Sequence, residues 1–148
     1  MLSIRSILAV LILLLSCALQ FWFASANVFV NFILATLIVF AFYFDIWELL
    51  VFILFSIFVI NWQPVVSTDI FIFGIIPVVV YAFNKVFAWT TWVAAPFAIV
   101  AGFIVLYLAL APGAFFANWE LLLMDLFGGL LFGGAVFLVF DRVRGPYV

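Results

Sequence analysis

Polar residues in this chain are sparse and gather at a few places, leaving apolar runs between them. Stretches such as ILAVLILLL and ELLVFILFSIFVI stay hydrocarbon on consecutive positions. They lack the period-two alternation of a membrane β-barrel strand, so the hydrogen-bonded form left for a spanning segment is the α-helix. Six apolar stretches can be read, at 7–24, 28–44, 47–62, 70–84, 92–111 and 120–140. A span takes about 20 residues, which the first, fifth and sixth satisfy, while the third and fourth are short. The fourth, IFIFGIIPVVVYAFN, carries Pro77, which removes a backbone hydrogen bond and predicts a kink. The expected fold is therefore all-α: one polytopic membrane helix bundle over residues 1–148, with about six transmembrane helices.

Composition strengthens this reading. Of 148 residues 73% are hydrophobic and 7% charged, against about 25% charged in soluble domains, so too little polar surface remains to solvate a water-soluble fold. With both termini cytoplasmic, Arg5, Lys85, Arg142 and Arg144 all fall inside, as the positive-inside rule requires. The same threading puts Trp22, Trp62 and Trp119 at outer boundaries and Trp47, Trp89 and Trp92 at inner ones, an interfacial aromatic belt. The N-terminal run, followed by Ala24-Ser25-Ala26, also has the outline of a cleaved signal peptide, and LLSC at 14–17 faintly that of a lipoprotein box. Its apolar length through FWF exceeds a signal core, so a retained first helix is expected.

Charge and residue type narrow the chemistry. A net charge of −2 with four basic residues offers no stripe for nucleic acid. One cysteine and no histidine leave no disulfide framework, no Ser-His or Cys-His pair, and no His/Cys metal set. No cofactor and no metal are expected, and no enzyme.

The remaining polar residues divide by position. Asp45 and Glu48 have the N-cap and N3 spacing of a helix start, which predicts capping, with Lys85 on the same side as a possible ion-pair partner. Ser67, Thr68 and Asp69, and later Asn118 and Glu120, precede their helices in the same way. Asp125 differs, because six residues beyond Trp119 it lies about 9 Å along its helix, where an ionised acid must face protein or a wet cavity. Asn27, Asn31, Asn61, Gln63 and Tyr107 lie toward the same end and could converge on it. Two readings stay open: an interhelical hydrogen bond, or a ligand or partner site. Gly129 and Gly133 share a stripe with Asp125 and predict close helix packing, either within the chain or with a second protein.

Three stretches together resemble the MreD family of rod-shape-determining membrane proteins. They are an N-terminal Arg before an apolar span ending in Leu19-Gln20, the Asn-led NFILATLIVF, and GGLLFGGAVFLVFDRVR closing on a basic tail. Where that family usually has a Gly-rich third span ending in Asp, this chain has VFILFSIFVINWQP. The resemblance implies a non-enzymatic scaffold or interaction subunit of the bacterial cell-wall elongation machinery, multi-pass in the inner (cytoplasmic) membrane. Its partners would be membrane lipid, an MreC-like protein and wall synthases. A second reading, prompted by the polar cluster around Asp125, is a small substrate-binding subunit resembling the S-components of energy-coupling-factor vitamin importers. Ala9, Ala18, Ala24 and Ala26 do not supply the A-x-x-x-A docking face common on the first helix of those subunits.

Overall fold

A computed structural model describes residues 4–26, 28, 30–60, 68–87, 89–110 and 112–144, and all regular structure among them is helical. In chain order the elements are α1 (Ile4–Ser25), α2 (Phe32–Tyr43), α3 (Ile46–Ile60), α4 (Thr68–Val86), α5 (Thr91–Leu110), α6 (Pro112–Ala117) and α7 (Trp119–Arg144). Three of them, α1, α5 and α7, are long and apolar enough to cross a membrane; the apolar parts of α2, α3 and α4 are shorter.

The bundle is organised around α2. All twelve of its residues are buried, and it packs on α1, α3, α4, α5 and α7. A helix hydrophobic all round is a buried helix, and the sequence FILATLIVFAFY has no polar face to turn outward. The other helices cover it with one face and turn Leu11, Phe58, Val93 and Phe127, among others, outward. So continuous an apolar exterior is incompatible with water and matches hydrocarbon. The chain is a membrane protein.

Two boundaries differ from the sequence expectation. The stretch 28–44 is helical only from Phe32 to Tyr43, about 18 Å at 1.5 Å per residue, well short of a hydrocarbon core of about 30 Å. The cause lies at the end of α1, where the N–H groups of Ala26 and Val28 both donate to the Phe23 carbonyl, at 3.0 and 2.9 Å, and turn the chain before α2 can begin. In contrast, α4 outruns its expected 70–84, covering 19 residues straight through Pro77. Pro77 is buried within the bundle, a setting in which a membrane helix tolerates the backbone bond that proline cannot make. PGAFFA, between the fifth and sixth apolar stretches, forms α6, with Pro112 in the first-turn position that proline suits.

Helix contacts are made by small residues and ring edges. An added Cβ at Gly129 would lie 2.6 Å from the Phe103 ring and one at Gly133 2.6 Å from Ile99 Cδ1. The stripe Asp125–Gly129–Gly133 on α7 therefore runs antiparallel to Tyr107–Phe103–Ile99 on α5, rung by rung. This places the expected close approach within the chain. Gly102 of α5 meets Ile38 and Ile76 in the same manner. Between α1 and α2, the Ser16 and Thr36 hydroxyls lie 2.7 Å apart, and each also approaches its own i−4 carbonyl. Two hydroxyl protons serve these three contacts, so the pair shares them and stays satisfied in a dry interior. At the C-terminal end of α2, Phe40 packs edge-on against Phe52 at 5.0 Å and Phe140 at 5.4 Å, with Phe44 completing the cluster. The start of α1 and the end of α7 meet around this cluster through Arg5 and Phe140, so both lie at one end of the bundle.

Candidate functional site: a buried carboxylate at the start of the central helix

A helix buried at both ends leaves backbone N–H groups at its start and carbonyls at its finish without intrahelical partners, and lipid offers no water to take them. The N-terminus of α2 meets this demand with side chains from other helices. Asn31, its N-cap, makes no capping bond with its own side chain. Instead its backbone N–H donates to Asp125 Oδ1 at 2.6 Å. Two residues on, the Ile33 N–H donates to Gln20 Oε1 of α1 at 3.2 Å. The second oxygen of Asp125 accepts the Tyr107 hydroxyl of α5 at 2.8 Å.

Asp125 is thus a three-way junction, joining α7 to α5 through Tyr107 and to the chain entering α2 through Asn31. Its side chain is 3% exposed. The carboxylate also sits at the positive end of the α2 dipole, where negative charge is stabilised by roughly 0.3–1 kcal/mol, and up to about 2 kcal/mol when partly buried. Just beside it, Val30 fills the space over Gly128, whose added Cβ would lie 2.7 Å from Val30 Cγ1. The side-chain oxygen of Asn31 is buried and has no hydrogen-bond partner among the described residues.

The opposite end of α2 carries the complementary charge. The Arg5 guanidinium donates to the Tyr43 carbonyl in the last turn and lies over the Phe44 ring at 5.5 Å. A cation at a helix C-terminus opposes the negative pole of the dipole, and a ring face adds a cation–π contribution. Arg5→Ala should therefore lower stability in detergent by about 1 kcal/mol, and Arg5→Lys by less, as read from thermal unfolding midpoints.

Family models, curated proteins and solved structures give no match to this chain. What the site can do therefore rests on its own geometry. Of the residues expected around Asp125, the structure brings in Asn31, through its backbone, and Tyr107; Asn27, Asn61 and Gln63 lie outside the described residues. Gly129 and Gly133 continue the same stripe against α5. Near Asp45, Glu48 Oε2 accepts the Asp45 N–H at 3.4 Å, the reaching-back half of a capping box. Lys85, expected as a partner for these acids, instead places its ammonium 5.4 Å from the centre of the Tyr81 ring.

Sequence reasoning missed Gln20 and Arg5 as partners of α2. The signal is present in each case: Gln20 is a lone amide near the end of an apolar helix, and Arg5 a lone cation near its start. Neither could be matched to α2 until its true ends were known. The described residues contain no group of three or more His, Cys, Asp or Glu that could hold a metal ion. The arrangement around Asp125 accepts hydrogen bonds and orders helices.

Proposed function

We propose that this protein is a non-enzymatic scaffold or interaction subunit of the bacterial cell-shape and wall-elongation machinery, a divergent relative of the MreD family. In this reading it has six membrane-embedded helical segments in the inner membrane, both termini face the cytoplasm, and it contacts an MreC-like protein and wall synthases. The observation that carries the proposal is the use of Asp125: both its oxygens accept donors from the bundle itself, Asn31 N–H and Tyr107 O–H. A buried acid committed to two internal donors supports a structural use over chemistry on a substrate. The meeting of α1's start and α7's end around Phe44 supports a common side for the termini. The stretches behind the family resemblance take part in this frame: Gln20 accepts an N–H at the start of α2, which lies in NFILATLIVF, and the glycine-rich last span packs on α5.

Depletion in a rod-shaped host should give rounded or widened cells, and an affinity-tagged chain should co-purify an MreC-like protein. Normal cell shape together with no co-purifying wall-synthesis protein would refute the proposal. The vitamin-importer reading keeps a direct test of its own: a thermal shift with a vitamin on the purified protein would favour it over the scaffold.

A further inference from the structure

Between α4 and α5 lies a groove of about 510 Å³, floored by Phe42 of α2, with Asn84 the only amide in a lining that is otherwise apolar apart from the Trp89 indole N–H. Along α4 it runs from Ile72 to Asn84, about 18 Å at 1.5 Å per residue. Its narrow run between two helices and its almost wholly apolar lining suit a hydrocarbon chain. The length also matches: one leaflet of the hydrocarbon core is about 15 Å deep.

The polar features of the groove lie at one end. Asn84 and Trp89 line it there, and Lys85, beside Asn84 in the last turn of α4, is exposed with its ammonium over the Tyr81 ring. Tryptophan and lysine at the mouth of an apolar slot reproduce the layering of a bilayer interface, aromatic at headgroup level and cation beside phosphate. The opposite end, at Ile72 and Val105, is wholly apolar.

We propose that this groove is a binding site for an anionic phospholipid, one acyl chain lying between α4 and α5 over Ile76 and Gly102, its phosphate held at the Asn84–Lys85–Trp89 end. The proposal requires only that the chain is membrane-embedded and is independent of the cell-shape reading. A lipid here would lie along the α4–α5 seam, where the small side chains of Ala98 and Ala101 line the slot.

The test uses the full chain reconstituted into phosphatidylcholine vesicles containing one-fifth phosphatidylglycerol, then extracted in mild detergent for native mass spectrometry. One phospholipid should remain bound, with phosphatidylglycerol enriched at least threefold over its share in the vesicle. The double variant Ala98→Phe/Ala101→Phe fills the slot and should abolish retention, while Gly134→Phe, placed where an added Cβ meets nothing, should leave it intact. Lys85→Gln should keep the lipid and lose the preference for phosphatidylglycerol. Should the double variant fail to fold, Ala98→Leu serves instead, with retention falling at least twofold. Retention unchanged in the filled variants, no lipid on the native chain, or a polypeptide held there in its place would each overturn the proposal. A preference that survives Lys85→Gln would overturn the placement of the phosphate.

Discussion

Asp125→Leu should lower the stability of the protein by about 2–3 kcal/mol, the cost of leaving the Asn31 N–H and the Tyr107 hydroxyl unpaired in a dry interior. Average interhelical hydrogen bonds in membranes are weaker, about 0.6 kcal/mol. The larger figure follows because one deletion orphans two donors, one of them a backbone N–H at a helix start. Asp125→Asn should cost less than about 1 kcal/mol, since its amide oxygen still accepts the Asn31 N–H and its NH2 can donate to the Tyr107 oxygen. Tyr107→Phe removes a donor together with its need and should fall near the membrane average of about 0.6 kcal/mol. The order Leu, then the two conservative variants, is read from unfolding in detergent. A ligand or partner site would give another pattern: lost binding with unchanged stability in all three.

Gly129→Leu should be the most damaging of the substitutions at Gly129, Gly133 and Gly134 of α7. Even its Cβ would sit 2.6 Å from Cζ and 3.1–3.2 Å from two further carbons of Phe103, a ring with no exposed surface. A ring cannot yield by rotating one methyl; it must move as a whole, and the α5–α7 spacing opens with it. Overpacking of this kind typically costs about 1–3 kcal/mol, and Gly129→Leu, with three further carbons, belongs at the upper end. Gly133→Ala should cost less, because the atom in its way is Ile99 Cδ1, the tip of a side chain with rotamers to spare. At Gly134, where an added Cβ meets nothing, alanine should be neutral or slightly stabilising through its better helix propensity. Thermal unfolding of the three variants, measured in one detergent, gives the comparison; equal losses at 129 and 134 would mean that α7 is rotated from the orientation described.

The sequence made much of this legible and hid the rest for identifiable reasons. Apolar runs with no polar face announced membrane helices, and small residues at i, i+4 announced close approach, because both signals are local. Where α2 begins is a non-local matter. In VFVNFILATL only Asn31, a residue type suited to an N-cap, hints at Phe32 as the first residue, and the groups that accept the free N–H donors there come from Gln20 on α1 and Asp125 on α7. The same holds for its end, where Arg5, 38 residues away, takes the Tyr43 carbonyl. Asp125 stood out in the sequence as a carboxylate too deep to be idle, but whether it served a ligand or a helix depended on what approached its second oxygen. Tyr107 was on the right side to do so. At Asp45 and Glu48 the reaching-back half of the capping box was readable because such a box is contained in four residues.

The parallel seating of α2 against α7, with Asp125 at its start, is tested most directly by a disulfide. An ideal Cβ on Gly128 lies 3.6 Å from the Val30 Cβ, inside the range of about 3.5–4.5 Å that a disulfide requires. In a Cys17→Ala background, oxidation of isolated membranes carrying Val30→Cys with Gly128→Cys should close an intrachain bond, seen as the loss of both alkylatable thiols by intact mass. Val30→Cys with Gly134→Cys should keep both thiols free. Free thiols in the first pair, or bond formation in the second, would contradict the central place given to α2.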